Sequence, residues 1–409
     1  MNGTKYRVYL DWDWWLAAPC LCLIAIGGLA IYSINYNNPS LGNYWWQHLV
    51  TGVVGMGLVA LLARWHYPHL LTWHWLIYAL TNVSLVLVLQ FGVVASGAQS
   101  WLNVAGFHLQ PSEFAKISLI ITIAALLHRQ PVQSGGDLWR VLLVVFPTWL
   151  LVLIQPDLGT AIVILAITMG MLYWGGTPLS WLLLLSSPLI SAVILAFSLP
   201  LWFVWLVTIG VIAFWASPDW RTPVTAGAVI VNLISGELGK IAWHLLHPYQ
   251  RQRLVLFLNP DQDPLGGGYH LIQSRIAIGA GQLWGKGFLQ GSQTQLSFIP
   301  EQHTDFVFSA IGEEWGFIGS MTVIALFLVL CCRLLVIAVT CRSNFGSLLA
   351  IGMLSLLLFQ VFVNVGMTIG LAPVTGIPLP FLSYGRAALL AYLLGIGIVG
   401  AVGKEEKIC

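Results

Sequence analysis

Trp315–Cys332, WGFIGSMTVIALFLVLCC, and Phe345–Thr368, FGSLLAIGMLSLLLFQVFVNVGMT, contain no charged residue, and the connector between them holds Arg333 and Arg342. A helix needs about 20 apolar residues to cross the hydrocarbon core of a bilayer. Each run is therefore long enough to span, and the pair reads as a membrane hairpin turned by a basic connector.

The same pattern recurs in both directions along the chain. Apolar windows fall near 14–34, 45–63, 73–92, 112–128, 139–154, 158–175, 178–198, 200–216, 224–246, 315–332, 345–368 and 387–403. The windows at 139–154 and 200–216 are short, and Pro147 and Pro188 interrupt those at 139–154 and 178–198. The fold class that follows is all-α: a polytopic transmembrane helical bundle of about 10–12 spans. The N-terminus has two basic residues before its apolar run and no small-residue cleavage site, so it reads as a retained first helix.

Composition agrees. Of 409 residues 58% are hydrophobic and 8% charged, against roughly 25% charged in a soluble domain. With 17 Lys+Arg and 15 Asp+Glu the net charge is +2, and there is no basic surface to neutralise a run of phosphates. Nucleic acid is excluded as a partner class. The six cysteines sit in or beside apolar runs without paired metal or disulfide spacing. His48, His74, His128 and His244 form no ligand-spaced cluster, and Trp12, Trp14, Trp15, Trp45, Trp46, Trp73 and Trp75 flank spans as interfacial anchors.

Basic residues are retained on the cytoplasmic side. Lys5, Arg7, Arg64, Arg129, Arg140, Arg221, Arg333, Arg342, Lys404 and Lys407 all fall on one side of the alternating topology, whereas 35–44, 93–111, 155–157, 199–201 and 369–385 contain no Lys or Arg. Both termini are expected in the cytoplasm. The alternation puts 247–314 outside as one long extracytoplasmic loop, although it carries Arg251, Arg253, Arg275 and Lys286; long loops obey the charge rule weakly.

That loop also holds Asp261, Asp263, Glu301, Asp305, Glu313 and Glu314, six of the 15 carboxylates. Loops held by a rigid scaffold commonly carry function. Asn259-Pro260 and Asp263-Pro264 impose extended or turn geometry, and Gly266-Gly267-Gly268 supplies backbone conformations other residues resist. Asp263 is thus presented on a non-helical segment in the company of Arg251, Arg253, Lys286, His303 and Asp305. Ordinary solvated turn residues would also account for Asp261 and Asp263. The mixture suits a carboxylate that takes a proton from a hydroxyl while cations hold an anionic leaving group, for which phosphate or pyrophosphate fits. No Walker-type sequence is present.

Within the spans, Glu113 and Lys116 lie three residues apart on one helical face. Burying either charge costs about 2.5–3.5 kcal/mol even on the lenient insertion scale, so they are expected to pair or to line a polar cavity. Glu237 and Lys240 repeat the spacing. Asp157 caps the sixth span, and that role alone would explain it.

Taken together these strings resemble the SEDS family (shape, elongation, division and sporulation), its elongation members more than its division members. The resemblance rests on QPSEFAK at 110–116, QPDLGTA at 155–161, YQRQR at 249–253, NPDQDPLGGGYHLIQS at 259–274, FIPEQHTDFVF at 298–308 and PLPFLSYG at 378–385. It covers nearly the whole chain and implies a single SEDS-type membrane domain, 1–409, with 247–314 as its catalytic loop. The family usually has ten spans, so 200–223 with part of the next span looks like an inserted helical region. Two further departures are Ser100, where an arginine is common, and Arg386, where glycine is usual.

What the resemblance implies is a peptidoglycan glycosyltransferase that polymerises lipid II into β-1,4 glycan strands during cell elongation, at the outer face of the bacterial cytoplasmic membrane. The family's catalytic aspartate maps onto Asp263. The substrate-binding set implied is Trp101, Glu113, Lys116, Asp157, Arg251, Arg253, Gln273, Ser274, Lys286, His303 and Asp305. A divalent cation, Mg²⁺ or Mn²⁺, and partners comprising a class B penicillin-binding protein transpeptidase and other elongation-complex membrane proteins are implied as well. The alternative is a transporter that flips lipid II, with Glu113, Lys116, Glu237 and Lys240 lining the headgroup path.

Overall fold

The computed structural model describes residues 13–37, 42–95, 98–104, 107–132, 135–216, 220–245 and 268–408. Every expected span is met by a helix: α1 (Trp14–Tyr36), α2 (Tyr44–Leu62), α3 (Leu70–Phe91), α4 (Pro111–Arg129), α5 (Gly135–Ile154), α6 (Leu158–Trp174), α7 (Leu179–Phe197), α8 (Leu199–Ala216) and α9 (Arg221–Leu245). After two short helices, α10 (Tyr269–Ala280) and α11 (Ser292–Gln295), come α12 (Val307–Thr340), α13 (Asn344–Ile369) and α14 (Arg386–Ile408). Eleven of these are long and apolar enough to cross a membrane, and α6 is the shorter apolar one. The short windows at 139–154 and 200–216 both extend to full length.

α4 is the axis of the bundle. It packs against α3, α5, α6, α13 and α14, and Ala115, Leu119, Ile123 and Leu127 are buried along it. A helix apolar all round is a buried helix, and α4 keeps its two buried charges, Glu113 and Lys116, because they meet each other. Asp13 at the start of α1 accepts from Arg333 Nε of α12 at 2.8 Å, and His66 pairs with Glu405 of α14. Tyr44, which opens α2, lies at the opposite end against Tyr384 and His303.

The helices α7, α8 and α9 pack on one another and reach the rest of the bundle through α6. Their contact is glued by buried polar groups. Asn232 Nδ2 donates to Ser187 Oγ at 2.8 Å, Trp202 Nε1 to Ser191 Oγ at 2.8 Å, and Trp205 Nε1 to Asn232 Oδ1 at 3.2 Å. Pro188 has no N–H, so the carbonyl of Leu184 loses its helical partner. Ser187 Oγ donates to that carbonyl at 2.8 Å, which is how the span tolerates the proline.

Two features depart from the sequence reading. The connection at 93–111 holds a three-stranded antiparallel sheet, β1 (Val93–Ala95), β2 (Ala98–Val104) and β3 (Phe107–Leu109), in the order β1-β2-β3. The span expected from 315 begins at Val307 and is broken at Gly316, whose φ of 66° and ψ of −159° suit glycine alone. The break frees backbone groups, and 282–287 takes up four of them. Lys286 N donates to Glu313 O at 2.9 Å and Gly287 N to Glu314 O at 3.0 Å; Phe317 N and Ile318 N donate to Gln282 O and Leu283 O at 2.9 and 3.2 Å. A Cβ at Gly285 would lie 2.1 Å from Glu314 O, so the segment can seat in the break only without a side chain there.

Candidate active site

At the Tyr44 end of the bundle a cavity of about 310 Å³ opens between the starts of α4, α6 and α14 and the segment that precedes α12. Its walls come from regions far apart in sequence: Ser100 and Trp101, Gln110 and Glu113, Pro156 to Thr160, Glu301 with Thr304 and Asp305, Gln360, and Pro373 to Pro378 with Tyr384 and Gly385.

Pro111 opens α4 with its fixed φ, which sets Glu113 in the first turn, where the helix dipole favours a carboxylate. Glu113 Oε2 lies 2.8 Å from Lys116 Nζ, with side-chain exposures of 3% and 1%. Lys116 Nζ also stands 5.5 Å from the centre of the Tyr392 ring, a cation–π contact behind the cavity wall. Glu113 lines the cavity and Lys116 backs it.

Asp157 caps α6 as expected: Thr160 N donates to its Oδ1 at 2.9 Å. Its other oxygen accepts from Gln110 Nε2 at 3.3 Å, which ties the starts of α6 and α4 together. The wall is braced from behind by Gln155, fully buried, whose Nε2 donates to Leu85 O at 2.9 Å. The strand β2 sets Trp101 beside this pair, opposite Val93 of β1.

Across the mouth, Asn364 Nδ2 donates to the backbone carbonyls of Asp305 at 3.0 Å and Ile377 at 2.8 Å, pinning two loops to α13. The rings of Tyr44 and Tyr384 stack at 4.4 Å, and Tyr44 and His303 at 5.3 Å. Tyr384 N donates to His303 O at 2.9 Å, and its hydroxyl donates to Gln47 Oε1 at 2.6 Å. Burial holds the His303 imidazole below its ordinary value, only partly offset by the Glu301 carboxylate. Burial pushes the Tyr384 phenol up, with Arg386 nearby acting against it.

The cavity thus brings together Trp101, Glu113, Asp157 and Asp305 of the expected set, with Lys116 directly behind and His303 at the rim. Ser274 is engaged elsewhere: its hydroxyl shares a 2.7 Å bond with Ser309 and donates to Thr368 O, locking α10 onto α12 and α13. Gln273, on the same helix, is not among the lining residues. Lys286 Nζ lies 3.0 Å from the buried Glu313, whose carboxylate also accepts from the N–H groups of Gln293 and Thr294 and from the Thr294 hydroxyl. Glu237 and Lys240 pair at 3.0 Å on the outside of α9, 62% and 51% exposed, and share no wall with Glu113. Asp263, Arg251 and Arg253 lie outside the described residues.

Sequence reasoning missed Tyr44, Gln47, the hub at Glu313, and Gln360, which lines the cavity from α13. Tyr384 lies within PLPFLSYG at 378–385, one of the strings that carry the resemblance. Tyr44 carried no such signal, because an aromatic ring at the start of a span reads as an interfacial anchor.

The family model described as cell cycle protein, covering FtsW, RodA and SpoVE, matches residues 14–207 and 201–408. The chain is 36% identical over 361 residues to the peptidoglycan glycosyltransferase MrdB of Escherichia coli, covering 87% of this chain and 85% of that protein. It is 35% identical over 433 residues to the peptidoglycan glycosyltransferase RodA of Treponema pallidum, covering 98% and 100%. Among solved structures it resembles a chain from "Structural coordination of polymerization and crosslinking by a peptidoglycan synthase complex", with TM-score 0.71, 27% identity and coverage of 97% and 99%. It also resembles the rod shape determining protein RodA of Thermus thermophilus, with TM-score 0.63, 25% identity and coverage of 97% and 98%. With a bundle, a motif set and a whole-length likeness that agree, the chain belongs to the FtsW/RodA/SpoVE family of cell cycle proteins.

Proposed function

We propose that the chain is a peptidoglycan glycosyltransferase of the elongation type, which polymerises lipid II into β-1,4 glycan strands at the outer face of the cytoplasmic membrane. One observation carries the reading. Four strings that resemble the family, at 110–116, 155–161, 298–308 and 378–385, each contribute wall to a single cavity. The two relatives named peptidoglycan glycosyltransferases support it.

In this reading Asp263 is the general base. Its carboxylate takes the proton of the acceptor C4 hydroxyl, the freed oxygen bonds to the anomeric carbon of the growing chain, and the bond to undecaprenyl diphosphate breaks with its electron pair leaving on phosphate. The single displacement inverts an α-linked donor into a β-linked product. Arg251, Arg253 and Lys286 are the cations proposed for the diphosphate; Lys286 is already engaged by Glu313 at 3.0 Å, so the arginines carry most of that task. The substrate contacts proposed for Trp101, Glu113, Lys116, Asp157, Gln273, Ser274, His303 and Asp305 belong to the same reading.

Among the described residues no group of three or more His, Cys, Asp or Glu side chains is placed to hold a metal ion. A protein cage for the divalent cation is therefore not formed by them. Mg²⁺ typically relies on one or two carboxylates plus substrate phosphates, so Asp263 and the diphosphate would hold Mg²⁺ or Mn²⁺, which would offset charge on the leaving group.

The Arg333 and Glu405 end, rich in basic residues, is taken as cytoplasmic and the cavity end as external. The proposed insertion at 200–223 falls on α8 and the start of α9. Because α9 packs along α7 and α8, the inserted unit is better drawn as the α8–α9 pair, and the two family-model matches meet on α8. A class B penicillin-binding protein and other elongation-complex membrane proteins are the proposed partners, supported by the likeness to a chain of a peptidoglycan synthase complex.

A positioned base contributes about 10²–10⁴-fold. Purified Asp263→Asn protein given labelled lipid II and Mg²⁺ should insert and fold yet lose polymerisation by at least that order, while Asp261→Asn loses less. Normal glycan strands from Asp263→Asn would refute the assignment, and translocation of lipid II without polymer in liposomes would favour the transporter.

A further inference from the structure

One buried polar group behind the cavity wall has no part in the reaction as proposed. Tyr392 is the only polar side chain of α14 between Arg386 and Lys404, and it is 1% exposed. A phenol in the middle of an apolar run needs polar neighbours, because its hydroxyl gives up water on burial. Ala387, Ala388 and Ala391 beside it are small and buried, so α14 packs closely on α4 and carries the ring to the Glu113–Lys116 pair.

Three contacts fix where Tyr392 stands. Lys116 Nζ lies 5.5 Å from its ring centre, the Phe381 ring meets it edge-on at 5.8 Å, and its hydroxyl faces the Glu113 carboxylate and the Gln360 side chain. Gln360 comes from α13, is 1% exposed and, like Glu113, lines the cavity. Tyr392 thus meets both members of the ion pair and joins them to a second lining side chain on another helix. Beyond the ion pair the cluster is open: the Tyr392 hydroxyl, Gln360 Oε1 and Lys116 Nζ are buried without closing a hydrogen bond. Buried polar groups left open are exceptional, and bonds that serve a reaction are often long in the free protein and tighten in the complex. An ammonium with Glu113 as its sole neighbour would hold that carboxylate back from the cavity. The face of Tyr392 gives Lys116 a second partner, and its hydroxyl can donate to Glu113 while accepting from the Gln360 amide.

We infer that Tyr392 is a positioning residue for Glu113: its ring shares the charge of Lys116, and its hydroxyl, braced by Gln360, closes on the carboxylate when substrate reaches it and fixes how Glu113 is presented. The inference rests on the glycosyltransferase reading, in which Glu113 contacts lipid II. Tyr392 itself lies behind the wall and acts only through Glu113 and Lys116.

The test measures polymerisation and binding of labelled lipid II on the same purified full chains, in detergent with Mg²⁺. Tyr392→Phe keeps the ring over Lys116 and removes only the hydroxyl. It should raise the KM for lipid II and weaken binding about tenfold, the low end for a hydrogen bond to a charged group, with kcat and the thermal midpoint little changed. Gln360→Leu should do the same, and the double variant should be no worse than the poorer single, since both act through one carboxylate. A purely structural role would lower the active fraction, and with it kcat, at unchanged KM. That result, or additive losses in the double variant, would overturn the proposal. Should Tyr392→Phe fail to fold, Gln360→Leu with wild-type KM and binding would overturn it alone. Binding weakened by Tyr392→Phe in a protein that makes no polymer would sink the glycosyltransferase reading alone; polymer made by Tyr392→Phe at wild-type KM would sink this one.

Discussion

Lys116 Nζ sits 2.8 Å from Glu113 Oε2 across one turn of α4, the most deeply buried helix of the bundle, with both side chains almost wholly withdrawn from solvent. A buried pair of this kind punishes the loss of one member far more than the loss of both, because the survivor is left as an uncompensated charge. Either Glu113→Gln or Lys116→Met is expected to cost about 3–5 kcal/mol. The double variant should recover more than half of that. Unfolding of the four proteins in detergent checks the cycle; equal losses from the single and double variants would contradict it.

Glu313 holds the loop 286–294 through charge-assisted hydrogen bonds to Lys286, Gln293 and Thr294. Such bonds are worth about 1.5–3 kcal/mol each. In Glu313→Ala the amides of Gln293 and Thr294 should therefore exchange at least about tenfold faster, with little change in α3 or α5. Hydrogen exchange read by mass spectrometry would show it, and unchanged protection at 290–296 would mean that the carboxylate is not the anchor.

His303 gives the mouth of the cavity a pH dependence of definite sign. Its folded-state value is depressed by burial, so below the unfolded value, about 6.5, the unfolded chain binds the proton more readily than the folded one. The stabilisation is present above that value and is lost as pH falls towards the folded value. Stability measured between pH 7.5 and about 5 should decline for wild type and decline less for His303→Phe, which keeps a ring against Tyr44. Parallel curves for the two proteins would reject the assignment.

Gly316 has φ of 66°, and a Cβ there would lie 2.3 Å from the backbone nitrogen of Gly285. Gly316→Ala should be severely destabilising, on the scale of more than about 4 kcal/mol reserved for strain and overpacking. Gly57, which has open space around its Cβ position, offers the control: Gly57→Ala should be neutral or mildly stabilising, because alanine is the better helix former. Comparable thermal stability of the Gly316→Ala and wild-type proteins would refute the packing of 282–287 into the break.

The number and placement of the spans were legible in the sequence because bilayer thickness converts directly into apolar run length. The Glu113–Lys116 pairing and the Asp157 cap were legible too, since each depends on spacing within one or two turns of a single helix. Local rules of this kind act before the chain is folded.

Tertiary structure alone decided the rest. The segment 282–287 fills a break in α12 because carbonyls of Glu313 and Glu314 needed donors that only a distant segment could bring. Lys286 went to Glu313, and Ser274 to Ser309 and Thr368, because the packing of α10 and α12 satisfied them there. Tyr44 and Tyr384, at opposite ends of the sequence, became one stacked surface when α2 met α14. Run length and helical period are properties of neighbours in the chain, whereas a cavity wall is a property of neighbours in space.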